Sequence, residues 1–211
     1  MAHVMVVIGG GELSAIAVDA ARPDVVIAAD SGLDHAVAAG FVPSMLVGDL
    51  DSISASGRMW AYAHGLVIDV QPEDKDLTDT ELAIAAALAV EDGTRLTVLG
   101  GVGDRLDHLL GTLLALGHPD LARLIGVRAW IGTTEFVVVH GGRSASLDLD
   151  PGRTFSLLAL HGPAAGVTVE GARWELTDAT LSSTHARGVS NEAKENTMIT
   201  CRTGVVTVVV P

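Results

Sequence analysis

The sequence predicts an α/β domain with a parallel, Rossmann-like sheet, followed by a small all-β sandwich. Three observations predict it. Up to about residue 132, short apolar runs alternate with Ala- and Leu-rich stretches of helical length. Beyond that point the helical texture stops, and short strands follow one another across Gly- and Pro-containing turns. Glycines and aspartates also cluster directly after the apolar runs, at the strand ends where parallel sheets bind ligands.

The apolar runs of the first part are Val4–Ile8, Val25–Ala29, Met45–Val47, Leu66–Val70, Leu96–Leu99 and Val127–Ile131. Several are rich in Val and Ile and bounded by Gly, Asp or Pro, as buried strands are. Between them, Glu12–Ala21, Gly32–Ala39, Ala55–His64, Asp79–Glu91 and Leu106–Leu116 read as helices. Strand–helix alternation implies a parallel sheet covered on both faces. The clearest helix start is Thr78-Asp79-Thr80-Glu81, a capping box that places Asp79 at the positive end of the helix dipole. In the second part, Phe136–His140, Ala145–Leu149, Thr154–Leu160, Gly166–Glu170, Thr197–Arg202 and Val205–Val210 read as strands. The expected domains are therefore 1–132 and 136–211.

Composition narrows the function. Hydrophobic residues make up 48% of the 211 residues and charged ones 18%, which excludes a disordered or fibrous chain. Thirteen basic against 26 acidic residues leave a formal charge of −13, the wrong sign for a nucleic-acid binder. A single cysteine, Cys201, allows no internal disulfide, so the expected compartment is the cytoplasm. The start Met1-Ala2-His3-Val4 lacks a basic segment, and no run reaches the ~20 apolar residues of a membrane helix, so neither leader nor membrane is expected. The eight histidines include no H-x-x-x-H pair.

The strand ends carry the chemistry. Gly9-Gly10-Gly11 follows the first strand, Asp30-Ser31-Gly32 the second and Gly48-Asp49-Leu50-Asp51-Ser52 the third. Asp74-Lys75-Asp76-Leu77-Thr78-Asp79 follows the fourth, and Gly100 through His108 the fifth. If 49–51 is extended, Asp49 and Asp51 point to one side. Carboxylates that face each other repel unless a cation lies between them, and magnesium takes oxygen ligands from carboxylates and substrate phosphates. Asp30, Asp76 and Asp79 complete such a set. The glycine turns, which taken singly are also ordinary turns, let backbone N–H groups approach phosphate. Lys75 and Arg105 suit polyphosphate, although each also suits a salt bridge to the neighbouring aspartates. The residues alone thus describe a magnesium-dependent enzyme acting on a nucleotide polyphosphate.

In this order the pieces resemble the thiamine pyrophosphokinase (thiamine diphosphokinase) family. The matching segments are Ala29–Gly32, Gly48–Ser52, Asp74–Asp79 and Gly100–His108, joined later by Gly171-Ala172-Arg173-Trp174-Glu175-Leu176 and Gly188-Val189-Ser190-Asn191-Glu192. The chain departs from the family pattern at Ser31, Leu50, Asp104 and Thr112, positions that bear more on nucleotide contacts than on the metal site. The resemblance implies transfer of pyrophosphate from ATP to the hydroxyl of thiamine, giving thiamine diphosphate and AMP. It implies a homodimer with the active site between domains and subunits. It assigns Mg2+ to Asp49, Asp51 and Asp79, with Asp76 and Arg105 also in the catalytic set and the general base left open among the aspartates. ATP is expected at Gly9, Gly10, Gly11, Asp30, Lys75, Gly101, Arg105, Asp107 and His108. Thiamine is expected at Trp174, Ser190 and Asn191, the indole offering a face to cationic rings. On this reading Asp51→Asn abolishes turnover.

Three other readings remain open at this level. Asp30, 21 positions after Gly9, imitates the ribose-binding acid of a dinucleotide-dependent oxidoreductase, but this leaves Gly48–Ser52 and Asp74–Asp79 without a role. A pyrophosphokinase for another alcohol, such as a hydroxymethylpterin, would share the first-domain motifs. A non-catalytic thiamine or nucleotide sensor would have no use for so many carboxylates.

Overall fold

The computed structural model describes residues 2–20, 22–90 and 93–211. Met1 and the expected helix ends at Ala21 and Glu91 lie outside the described residues. The chain divides into two compact units, Met1–Ala115 with Ala129–Thr133, and Leu116–Arg128 with Thr134–Pro211. The segment 116–128, read from sequence as part of the first domain, groups with the second. His140, buried in the second unit, contacts the Leu116 carbonyl through Nε2 at 3.2 Å, and Arg143 Nε donates to the Ala122 carbonyl at 3.0 Å.

The first unit is built on parallel strands β1 (His3–Val7), β2 (Val25–Ala29), β3 (Met45–Gly48), β4 (Val67–Val70) and β5 (Arg95–Gly100). Their order is β5-β1-β2-β3-β4, with parallel register throughout. The last residues of β6 (Gly126–Ile131) belong to this unit, where β6 is the neighbour of β5. Val4 to Val7 and Val98 to Leu99 are fully buried, as central strands rich in Val and Leu should be. β4 has both its valines exposed because it ends the sheet.

The helices are α1 (Ala15–Ala20), α2 (Gly32–Ala38), α3 (Ala55–Ala63), α4 (Asp79–Leu88) and α5 (Leu106–Ala115). Sequence placed the start of α1 at Glu12. The chain instead runs irregularly through Gly10 and Gly11, both at positive φ, and the helix opens after Ser14, whose hydroxyl accepts from Ala17 N at 3.3 Å. The expected capping box at α4 is present. Thr78 Oγ1 accepts from Glu81 N at 3.2 Å, and Glu81 Oε2 accepts from Thr78 N at 2.8 Å.

The second unit has no α-helix among its described residues. Its strands are β7 (Thr134–His140), β8 (Arg143–Leu147), β9 (Thr154–Leu158), β10 (Ala164–Ala172), β11 (Leu176–Leu181), β12 (Gly188–Cys201) and β13 (Val205–Val210). They run antiparallel in the order β7-β13-β9-β12-β10-β11, with β8 also on β12. Phe155, Leu157, Val167, Ile199, Cys201, Val206 and Val208 share one core. The sequence pattern does not mark β11 or the first half of β12 as strands. Both carry a polar residue in the left-handed region, Asp178 at φ 48° and Ser190 at φ 61°, which interrupts period-2 alternation.

Candidate active site

The strand order of the first unit reverses at β1. From β1 the chain steps outward through β2, β3 and β4, then returns to the other side of β1 at β5. The crevice at such a reversal, beyond the carboxyl ends of the strands, is where open parallel sheets bind ligands. A cavity of about 690 Å3 lies there, within the size range of small-molecule sites. Of the residues singled out from sequence, Gly9, Gly10, Asp30, Asp49, Asp51, Lys75, Asp76, Asp79, Gly101, Arg105 and His108 line it. Gly11 and Asp107 are not among the lining residues.

Three carboxylates converge in this cavity. One oxygen each of Asp30, Asp49 and Asp79 lie within 4.8 Å of one another. Their convergence depends on Gly48, at φ 146°, because a Cβ there would meet Asp30 Cβ and Asp79 Oδ1 at 3.2 Å. Asp30, directly after β2, is itself left-handed at φ 46°, a conformation uncommon outside glycine.

The expectation that 49–51 is extended is corrected. Leu50 has φ 66°, so the segment turns. Asp49 Oδ1 accepts from Asp51 N at 3.2 Å, an Asx-type turn, which a short acidic side chain forms readily. Asp51 lines the cavity but stands outside the group of three, where Asp30 takes part. The turn is held from behind. Arg58 donates to the Leu50 carbonyl, and Asp34 accepts from Ser54 N at 2.9 Å and from its hydroxyl at 2.5 Å.

Lys75 lies among these carboxylates. Its Nζ is 3.1 Å from Asp49 Oδ2 and 2.9 Å from Asp79 Oδ1. Burial disfavours its charge, but the bonds to Asp79 and Asp49 outweigh this and hold its pKa above the ordinary lysine value. The Asp51 N–H and Lys75 together keep Asp49 below the ordinary carboxylate range. Asp30 moves the other way. Burial pushes its carboxyl up, the Ser52 hydroxyl opposes this, and the charges of Asp79, Asp51 and Asp49 add to the rise. Asp30 Oδ1 is buried and accepts no hydrogen bond. Asp79 Oδ1 is likewise buried and is met only by the charge of Lys75. An all-oxygen donor set with two such buried acceptors fits a hard divalent cation such as magnesium.

A stability prediction follows from Asp30. Its carboxyl titrates higher in the folded protein than in the unfolded chain. The ionised form therefore costs stability, and the cost grows as pH rises through the shifted value. Asp30→Asn should raise the melting temperature of the metal-free protein at neutral pH by about 2 °C, a small effect because solvent screens a half-buried carboxylate. The gain should vanish below the ordinary carboxylate range. Melting curves across pH check this, and an equal change at every pH would contradict it.

The two glycine turns lie against each other. A Cβ at Gly101 would meet the Gly11 backbone at 2.3 Å, and one at Gly103 would meet the Gly10 carbonyl at 2.7 Å. Beyond them, Arg105 donates to both oxygens of Asp107, from Nε at 2.9 Å and Nη2 at 2.7 Å. Both side chains are exposed, and the guanidinium holds the Asp107 carboxyl well below its usual range.

A second constellation lies in the second unit. Asn191 is buried, and its amide holds the backbone of Trp174 on both sides. Its Oδ1 accepts from Trp174 N at 3.1 Å, and its Nδ2 donates to Trp174 O at 2.8 Å. The indole itself is exposed, with the Arg173 guanidinium over the ring at 4.6 Å. Arg173 in turn pairs with Glu192 at 3.0 Å. Ser190 projects from its left-handed backbone, and its N–H donates to Ser156 Oγ at 3.1 Å. Sequence singled out Trp174, Ser190 and Asn191 but not the Arg173–Glu192 pair, which a cation beside an aromatic could have signalled.

An acidic cavity at the reversal of a parallel sheet, in a chain with a separate antiparallel unit, places the protein among two-unit α/β-plus-β proteins. Comparison with known proteins is more specific. Residues 20–124 match the family model for thiamin pyrophosphokinase, catalytic domain, and residues 144–206 match that for thiamin pyrophosphokinase, vitamin B1 binding domain. The chain belongs to the thiamin pyrophosphokinase family. It is 25% identical over 168 residues to thiamine pyrophosphokinase 1 of Oryza sativa subsp. japonica, covering 75% of this chain and 62% of that protein. It is 32% identical over 90 residues to thiamine pyrophosphokinase of Bacillus subtilis (strain 168), covering 43% of this chain and 42% of that one. These alignments thus span under two thirds of the relatives' length. Thiamine pyrophosphokinase structures from Bacillus subtilis and Candida albicans share the fold, each with a TM-score of 0.79 over 99% of this chain. They cover 98% and 89% of those chains, at 20% and 15% identity.

Proposed function

We propose that this protein transfers the pyrophosphoryl group of ATP to the hydroxyl of thiamine, giving thiamine diphosphate and AMP. The observation that carries the reading is the convergence of Asp30, Asp49 and Asp79 in the crevice of the unit that matches the catalytic domain. The order of the parallel strands around that crevice supports the Rossmann-like description of the unit.

In this reaction the thiamine hydroxyl oxygen bonds to the β-phosphorus, the bond from that phosphorus to the AMP oxygen breaks, and the hydroxyl proton is lost. Asp30, Asp49 and Asp79, with Asp51 and Asp76 on the same cavity wall, would hold magnesium. The bound ion would neutralise charge on the phosphates. The chain's own cations do related work. Lys75, from the acidic segment, and Arg105, after the second glycine turn, both line the cavity and present positive charge to the polyphosphate. Gly10 and Gly101 allow backbone to lie close to it. His108 lines the same wall, and Asp107 orients Arg105 through its two-point contact. Arg58, Asp34 and Ser52 fix the turn and the carboxyl of Asp30 before substrate arrives.

Thiamine recognition is assigned to the second unit, in the region that matches the vitamin B1 binding domain. The Trp174 ring already accepts a cation, Arg173, which supports a cationic ring as its ligand. Asn191 has its amide committed to the Trp174 backbone, so it positions the indole, and Ser190 is the free polar contact beside it. A homodimer is part of this reading. Leu106, Leu110 and Leu114, one turn apart on α5 and all exposed, offer an apolar stripe to a second copy. No helix among the described residues is long and apolar enough to cross a membrane, and the buried Cys201 thiol suits a cytoplasmic setting.

The test is AMP formation from ATP and magnesium, with and without thiamine. Thiamine-dependent AMP with thiamine diphosphate as co-product is the expected result. ADP as the product would replace the reading by a simple kinase. AMP formed with a pterin alcohol but not with thiamine would reassign the acceptor.

A further inference from the structure

We propose that Lys75 is the resident counter-ion of the acidic cavity, occupying the cation position beside Asp49 and Asp79 until a divalent ion displaces it. The inference rests on the metal site of the proposed function and concerns what this chain does before metal arrives.

The geometry shows what the ammonium does and what it leaves undone. Lys75 Nζ bridges Asp49 Oδ2 at 3.1 Å and Asp79 Oδ1 at 2.9 Å, and its side chain is only 14% exposed. It therefore sits inside the cluster rather than on its rim. It reaches two of the three converging carboxylates, but Asp30 Oδ1 and Asp79 Oδ1 both remain buried without a hydrogen bond, the latter held by charge alone. A monovalent ammonium, with three donors on a long stem, offsets the repulsion only in part.

A divalent ion among the same oxygens excludes this arrangement. Magnesium lies about 2.0–2.1 Å from its carboxylate oxygens, so an ammonium still bridging two of them would be roughly 4 Å or less from the ion. Two like charges at that distance, in a partly desolvated cavity, repel by far more than in bulk water. Lys75 must therefore leave for the ion to bind. It stays tethered three residues before the cap of α4 and lines the same cavity, where a polyphosphate is the anion it can meet. The lysine thus has two positions, and the divalent ion selects between them.

The test measures Mn2+ binding to the full chain without nucleotide, by the electron paramagnetic resonance signal of the free ion. Lys75→Met removes the competitor and should bind Mn2+ about tenfold more tightly than wild type, equivalent to about 1.4 kcal/mol. Lys75→Arg keeps the charge and should bind as wild type does. Without metal, Lys75→Met should melt below wild type, and Mn2+ should raise its melting temperature more. Lys75→Gln gives the same readout should the methionine variant not fold. Equal or weaker Mn2+ binding by the Met and Gln variants would overturn the proposal. Asp79→Asn separates this from failure of the site itself. Unchanged Mn2+ affinity in Asp79→Asn would sink the metal site, whereas lost affinity there, with none gained at Lys75, would sink only the counter-ion role.

Discussion

Asp79→Asn is expected to reduce thiamine-dependent AMP formation roughly 10^3-fold while leaving the fold intact, the scale on which losing one preorganised electrostatic contact lowers turnover. Asp79 is the first residue of α4, and the capping box at Thr78 and Glu81 fixes where that residue points. Asparagine has the same shape and is tolerated at a helix start, so the helix should form as before. What is lost is one of three converging charges and the ion pair to Lys75. The melting temperature should change little, since lost repulsion from Asp30 compensates for the lost pair. Activity assays beside a thermal melt decide the matter. Full activity in a folded Asp79→Asn protein would remove the acidic cluster from the mechanism. The same assay on Asp30→Asn and Asp51→Asn ranks the two remaining candidates for the third ligand.

Gly32→Ala should destabilise the first unit by about 3 kcal/mol, the upper end of what overpacking a dense interior costs. A Cβ at Gly32 would lie 2.1 Å from the Val7 carbonyl oxygen, 2.7 Å from its carbon and 3.0 Å from the Ile8 carbon. All three are backbone atoms at the end of the central strand, so no side-chain rotation relieves the contact. The first turn of α2 would have to lift from β1, and Leu33 and Ala36, both fully buried, would lose their packing. Gly111→Ala is the matched control. Gly111 lies within α5 with nothing within 4 Å of a new Cβ, so this change should stabilise by roughly 0.5–1 kcal/mol through helix propensity. Urea midpoints followed by far-ultraviolet circular dichroism read both. Equal midpoints for the two variants would contradict the close approach of α2 to β1.

Much of this was legible in the residues because the first unit obeys simple rules. Val-rich runs that must be buried on both faces gave β1, β2 and β5 to within a residue or two. The capping box located α4 because its bonds are local. The converging acidic trio was legible only as a neighbourhood. Asp30, Asp49, Asp51, Asp76 and Asp79 all reach one cavity, but which three converge depends on the left-handed backbone of Asp30 and Leu50. Neither residue type announces that conformation. The structural partner of Asn191 is hidden from the sequence for a related reason. That partner is a backbone 17 positions away, a pairing created by β10 and β12 lying side by side.

The position of β1 also bears on how the chain is made. β1 pairs on one side with β2, which follows closely, and on the other with β5, some ninety residues later. Asp30, Asp49, Lys75 and Asp79 are all synthesised before β5, so the acidic cluster and its lysine exist while β1 is still an open edge. Long-range pairings of this kind close late and slowly. A nascent or truncated chain that stops short of Gly100 would present β1, wholly buried from Val4 to Val7 in the finished unit, with one edge unpaired, the situation in which strands recruit one another.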